Sequence, residues 1–405
     1  MSEGTNAVNH GRLRLCRIVT VPLTFQALLW EQLRTIAAHG VDLTVVSSPG
    51  PELEAVATDI GAAAVGIPME RRPAPLSDLR SLFQLTRFFC RHRFDIIHSS
   101  TPKAGLLTAL AGRLARVPVR LHTFTGQPWV ELTGVSRQIP RECDRITATL
   151  ATQCYADSPS QRGFLIKEKL VASDKIAVVG AGSISGVNLT RFSLATWGGP
   201  VAVATRRELG VPEGGLIILF VGRVTKDKGI TELVKAFETV ASGNADVHLV
   251  LVGPFEPKLD PLPPETLDRL QRHSRIYCVG FTTTPEKYLA AADIFCLPSY
   301  REGFGSVVVE AAAMELPAVV TRVTGLVDAV AEGETGLIVP PKNPDALAQA
   351  LETLVDSPAL RKSLGRAGRQ RVVRNYDSKL INEAVVAEYF RLLEQLRPCR
   401  EQPCR

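Results

Sequence analysis

The chain has 405 residues, 45% of them hydrophobic, and a formal net charge of +6; at that length the usual domain size of about 100–200 residues predicts two cores. The charge is local rather than global, with 21 Lys+Arg against 15 Asp+Glu in residues 1–190 and 26 of each in residues 191–405, which argues against a nucleic-acid partner. Eight scattered cysteines without a C-x-x-C pair exclude a zinc or disulfide framework and fit a reducing cytosol, and no apolar run reaches the ~18 residues of a membrane span.

In chain order, RLCRIVTV reads as a strand, FQALLWEQLRTIAAHG as a helix and VDLTVVSS as a strand. FDIIHSS, KAGLLTALAGRLAR and PVRLHTF repeat the pattern, and after the middle it restarts with LIILFVGR, ITELVKAFETVAS and VHLVLVG, then RIYCVGF, DIFCLPS, a helix through SVVVEAAAME, and LPAVVT. Continuous apolar strands joined by amphipathic helices predict an α/β chain of two doubly wound, Rossmann-like domains with parallel sheets and an inter-domain cleft. The expected divisions are residues 1–188, 189–377 and a last segment 378–405, whose helix packs back towards the first domain before a frayed tail.

The stretch IAVVGAGSISGV, residues 176–187, carries Gly180, Gly182 and Gly186 and raises a dinucleotide-binding reading. Its third glycine comes one residue late for G-x-G-x-x-G, and no apolar stripe at helical spacing follows, so an inter-domain connection is expected instead.

Two constellations carry chemistry. In FVGRVTKDKGI a strand ends at Gly222 and delivers Arg223 and Lys228 to the edge of a sheet just before a helix, which suits a diphosphate. In PSYREGFGSVVVEAAAMELPAVVT, Glu302 stands on a loop with Gly303 and Gly305, and Glu310 falls about one turn into the following helix. Ionised carboxylates only accept hydrogen bonds, which polyol recognition asks for.

These motifs resemble the retaining glycosyltransferases of family 4, the glycosyl transferase group 1 enzymes with the GT-B fold, over nearly the whole chain. The signature is Glu302 to Glu310 within EGFGSVVVEA together with GRVTKDKG; PVRLHTFTGQPW, ADSPSQ and GAGSISGVNLTRF support it, and the bacterial capsule and O-antigen branch is the most similar. The resemblance implies that Arg223 and Lys228 hold the donor diphosphate, Glu310 the ribose, and Glu302 with the backbone of Gly303, Phe304 and Gly305 the donor sugar. It places Gly222, Gly280 and Phe281 in the donor site, the last two near the nucleobase, and brings His122 from the first domain to the transferred sugar. Thr101 and Lys103, at another strand-to-helix junction, are acceptor-side candidates. It further implies a nucleotide-sugar donor, UDP preferred over GDP, a polyprenyl-diphosphate-linked or glycan acceptor, and no metal or other cofactor. Two departures stand out: TVPLTFQALL lacks a Gly-Gly pair, and Glu315 replaces a small residue before Leu-Pro.

The segment 77–94, SDLRSLFQLTRFFCRHRF, reads as a basic amphipathic helix with Leu79, Leu82, Phe83, Leu85, Phe88 and Phe89 on one broad face, edged by Arg80, Arg87, Arg91 and Arg93. Such a face suits an anionic membrane, so a cytoplasmic protein with peripheral contact at the inner face of the plasma membrane is expected. A sugar-nucleotide epimerase and an NAD-dependent oxidoreductase are the alternatives. The first would need an acid/base set that the chain does not display, the second the missing fingerprint.

Overall fold

A computed structural model describes residues 12–258 and 260–396; the expected frayed tail lies outside the described residues. The first sheet contains β1 (Arg14–Ile18), β2 (Asp42–Ser47), β3 (Ala63–Gly66), β4 (Ile96–Ser99), β5 (Val119–Phe124), β6 (Gln153–Ala156) and β7 (Ile176–Ala177), all parallel in the order β3-β2-β1-β4-β5-β6-β7. The second contains β8 (Leu216–Val221), β9 (Val247–Val252), β10 (Ile276–Gly280), β11 (Ile294–Leu297), β12 (Ala318–Thr321) and β13 (Gly336–Val339), also parallel, in the order β10-β9-β8-β11-β12-β13. Runs such as VHLVLV in β9 are buried along their whole length, as sheets covered by helices on both faces require. Each sheet reverses its strand order once, between β1 and β4 and between β8 and β11. Ligands of such folds bind at the carboxyl ends of strands beside that reversal.

The helix expected over 25–40 opens with a π-helical turn, Phe25–Leu29, and continues as Trp30–Ala38; wide turns of this kind often mark functional positions. No helix follows the glycine-rich stretch until Leu194, so those glycines serve the connection between domains. Gly186, at φ +67°, lies so close to the returning chain that a Cβ there would sit 2.7 Å from the Tyr376 carbonyl. The two crossings are tied together: Val187 N donates to Tyr376 O at 2.7 Å, and Ser378 N donates to Val187 O at 2.9 Å.

The final helix, Ser378–Leu396, then packs on the helix Trp30–Ala38. It buries Val385, Val386, Tyr389 and Leu392 in the first domain's core. Tyr389 accepts from the buried Arg17 guanidinium at 3.2 Å and hydrogen-bonds His98 Nδ1 at 2.6 Å, while Tyr155 donates to Glu388 at 2.6 Å. Buried polar groups so paired fix how the helix is seated.

The basic helix spans Pro75–His92, and its expected single apolar face divides in two. Leu85 and Phe89 are buried with Leu82 and Phe88 packed beside them, whereas Leu79 and Phe83 stay 64% and 66% exposed, as does Leu76 at 87%. The apolar arc is wider than one seam against the sheet can cover, so the remainder faces outward beside Arg80 and Arg87.

Candidate active site

At the reversal of the second sheet, β8 ends and the chain turns through Gly222 and Arg223 into a short 3-10 turn, Lys226–Lys228. Arg223 Nη1 donates to Glu256 Oε2 at 2.8 Å, and its Nη2 lies 3.5 Å from Asp227 Oδ2. Asp227 also accepts from Arg301 at 2.8 Å and from the Thr225 hydroxyl at 2.6 Å. Burial pushes the Asp227 carboxyl up, but the Thr225 hydrogen bond and the charges of Arg301, Lys228 and Arg223 outweigh it and hold the group below the ordinary carboxylate range. Lys228 Nζ donates to Glu302 Oε1, which also accepts from the Ser299 hydroxyl at 2.8 Å. Arg223, Lys228 and Glu302 therefore stand in one charge-paired group, from strands β8 and β11 that lie side by side.

The Glu302 loop is also where the domains meet. Gly303 lies against Thr125 and Gly126, which follow β5 of the first domain, so closely that a Cβ on Gly303 would sit 2.5 Å from the Thr125 carbonyl carbon. Ser158 Oγ donates to Gly303 O at 3.1 Å, Ser160 N donates to Asp328 Oδ2 at 2.9 Å, and Gly325 N donates to Ser160 Oγ at 2.8 Å. Gly305, at φ +83°, begins the helix Ser306–Ala313, and no side chain caps that helix start. The Phe304 side chain is buried against Tyr376, so only its backbone is presented to the loop.

Glu310 lines an open groove of about 200 Å³ together with Gln26, Glu31 and Arg34 of the first domain, the connection Ser185–Asn188, and Arg191. Burial raises its carboxyl to about 7; the nearby Arg191 opposes this and Glu286 adds to it. Glu286 is itself buried and receives the Arg191 guanidinium. Gly280 ends β10 at φ +81° and leads to Phe281, a 65% exposed ring at a strand's carboxyl end.

The family model for glycosyl transferases group 1 matches residues 203–371, and that for the glycosyl transferase 4-like domain matches residues 26–182. A capsular polysaccharide biosynthesis glycosyltransferase of Staphylococcus aureus, CapM, is 30% identical over 94% of this chain and 98% of its own. The chain belongs to the glycosyl transferase group 1 family. An Escherichia coli UDP-Gal:alpha-D-GlcNAc-diphosphoundecaprenol alpha-1,3-galactosyltransferase is 22% identical over 91% of this chain and 94% of its own. Anabaena HepE, solved with UDP and glucose, superposes with a TM-score of 0.77 at 18% identity, covering 93% of this chain and 99% of that one. This glycosyltransferase has the GT-B fold.

Not every residue expected at the cleft of this glycosyltransferase reaches it. His122 is 2% exposed, bonded through Nδ1 to the Ser99 hydroxyl at 2.9 Å, and packed so tightly under the helix Pro102–Leu114 that a Cβ on Gly105 would lie 2.5 Å from its ring. Burial lowers its pKa to about 3, so it is a neutral core histidine. Strand alternation turns it under the helix Pro102–Leu114, and Thr125 and Gly126, three and four residues on, meet the Glu302 loop instead. Thr101 hydrogen-bonds Thr20 Oγ1 at 2.7 Å across the first sheet's reversal. Lys103 is engaged by Asp78 at 2.7 Å and by the Arg72 carbonyl. Sequence reasoning missed the seam residues Ser158 and Ser160, although ADSPSQ contains both. It missed Glu256 and Arg191 because nothing in their own segments signals that they meet Arg223 or Glu310, and it passed over Asp227, which stands in FVGRVTKDKGI four residues after Arg223.

Proposed function

We propose that this glycosyltransferase moves a hexose or N-acetylhexosamine from UDP to a lipid-linked or polysaccharide-precursor acceptor in capsule or related polysaccharide assembly, with retention at the anomeric carbon. The observation that carries the reading is the grouping of Arg223, Lys228 and Glu302 at the strand-order reversal, closed from above by Thr125 and Gly126. Arg223 and Lys228 hold the diphosphate and stabilise the charge that grows on it as it leaves, the differential interaction that accelerates transfer. Glu302 and the Gly303–Gly305 backbone hold the sugar hydroxyls, and Glu310 the ribose. The leaving phosphate accepts the acceptor hydroxyl's proton on the same face, so the cation pair carries the chemistry without a separate base or a metal. CapM and the E. coli diphosphoundecaprenol enzyme support the acceptor class, and the UDP held by HepE supports the donor.

Among the described residues no helix is long and apolar enough to cross a membrane. In this reading the lipid-linked acceptor is met at the bilayer surface. The outward stripe Leu76, Leu79, Phe83 with Arg80 and Arg87 supplies that contact, as apolar side chains flanked by cations do at anionic lipid.

The test is the thermal midpoint with UDP, GDP, ADP and NAD in turn. A ligand bound only by the folded state at 100 times its Kd adds about 2.7 kcal/mol. UDP raises the midpoint and NAD does not; a shift with NAD alone overturns the assignment, and a shift with GDP alone replaces the donor.

A further inference from the structure

We propose that Arg71 and Arg72 form the site that grips the diphosphate of a lipid-linked acceptor, a proposal that rests on the transferase reading above and assigns its acceptor subsite. The two arginines lie on the segment between β3 and the helix Pro75–His92, and the fold pins that segment. Lys103 Nζ donates to the Arg72 carbonyl and to both oxygens of Asp78, at 2.7 and 3.0 Å, while Asp78 Oδ2 accepts from Ala74 N at 3.1 Å. Lys103 and Asp78 cancel each other's charge, and with Glu70 directly before the two guanidiniums the segment keeps a net charge of +1. Both are exposed, and both point across the cleft: Arg72 Nη2 donates to Lys258 O at 2.8 Å, and Arg71 Nη1 lies 3.8 Å from Glu256 Oε1.

Glu256 is the carboxylate whose other oxygen receives Arg223 at 2.8 Å. One acidic side chain thus stands between the cation assigned to the donor diphosphate and the arginine pair on the opposite wall. At 3.8 Å the Arg71 contact is an ion pair rather than a hydrogen bond, so its donors remain open to a ligand. Adjacent guanidinium forks match the paired oxygens of a diphosphate, which they bind bidentately.

What lies on either side of the pair gives the ligand its polarity. Towards the cleft are Glu256 and Arg223; away from it the chain enters the helix whose exposed Leu76, Leu79 and Phe83 run outward. From Pro75 to Phe83 such a helix extends roughly 12 Å. A molecule with a sugar on one end of a diphosphate and an apolar chain on the other fits this order of surfaces, with the phosphates at Arg71 and Arg72. A free glycan or a monophosphate uses only part of it.

The experiment is vesicle flotation of the full chain with phosphatidylcholine containing a sugar-free polyprenyl diphosphate, against phosphatidylcholine containing phosphatidylglycerol at matched surface charge. The wild type binds the diphosphate vesicles at least tenfold more tightly than the matched ones, and the R71A/R72A double variant loses that preference while keeping its thermal shift with UDP. No preference in the wild type overturns the proposal, as does a preference retained by the variant or an equal loss on both vesicle types. Absence of the UDP shift in the wild type instead removes the donor reading, so the two failures are told apart.

Discussion

Replacing Glu310 with Gln separates binding from stability, because the same carboxylate is costly to the fold and, in the proposed reading, holds the donor's ribose. Burial lifts its pKa from 4.5 to about 7. Between those values the unfolded chain has released the proton while the folded one retains it. The folded state therefore loses stability as pH rises from about 4.5, and the loss is complete above about 7. The gap of about 2.5 pH units corresponds to about 3 kcal/mol at 1.36 kcal/mol per unit. Glu310→Gln removes that penalty, so its thermal midpoint equals the wild type's near pH 4.5, rises above it through neutrality and levels off above pH 7. Nucleotide binding moves the other way. The neutral amide replaces an anionic acceptor facing the ribose, and the variant's UDP affinity falls about tenfold at pH 8, consistent with hydrogen bonds to charged groups being worth about 1.5–3 kcal/mol. Wild-type affinity for UDP also weakens below pH 7 as Glu310 takes up a proton, and the variant corrects for titration of the nucleotide's own phosphate. Midpoints and UDP titrations from pH 5 to 8 on both proteins make the check. A variant destabilised at pH 8, or one that binds UDP as the wild type does, refutes the reasoning.

Three further expectations follow from the cleft and the outer helix. Glu256→Gln frees Arg223 from a pair whose side chains are 38% and 19% exposed, an interaction that solvent screening reduces to about 1 kcal/mol; UDP then binds about fivefold more tightly by calorimetry, and unchanged affinity contradicts the idea that Glu256 occupies the diphosphate cation. Gly303→Ala places a Cβ 2.5 Å from the Thr125 carbonyl and holds the domains apart, so kcat drops more than tenfold while UDP still shifts the midpoint; normal turnover shows that this approach is dispensable. Arg80→Glu with Arg87→Glu weakens co-sedimentation with phosphatidylglycerol vesicles without changing the UDP shift, and unaltered sedimentation removes the helix Pro75–His92 from the membrane contact.

The alternation of strand and helix was legible because buried parallel strands such as LIILFV and VHLVLV are nearly continuous, β-branched apolar runs of six residues closed by Gly222 and Gly253, too short for a buried helix. Short strands at the sheet margins were not: β3 (AAVG) and β13 (GLIV) have only four residues each, partly exposed. That Arg223, Lys228 and Glu302 stand together was legible because two short motifs hold them and adjacent strands bring the motifs side by side. His122 shows the limit. It lies two residues before the end of β5 in the right domain, but which face a strand residue takes depends on register, and one position decides between the cleft and the underside of a helix. The carboxylates that hold the cations are invisible for a related reason. Glu256 is 33 residues from Arg223, and only the parallel β8–β9 pairing sets its loop beside it.

The residues assigned to the donor also form the seam between domains, and this bears on how water is kept from a reactive donor. Gly303 takes a hydrogen bond from Ser158 and contacts Thr125 and Gly126 on its bare Cα side, while Ser160 binds Asp328 and Gly325. Every one of these contacts joins the first domain to a segment that follows β11 or β12. A sugar held by Glu302 and the Gly303 backbone would therefore order the same loop that the first domain grips, so donor binding and closure share one set of atoms. Opening the seam would expose the anomeric carbon and withdraw its hydrogen bonds together. On the proposed reading hydrolysis would then be limited by construction, since the arrangement that would activate the donor is the one that excludes bulk water.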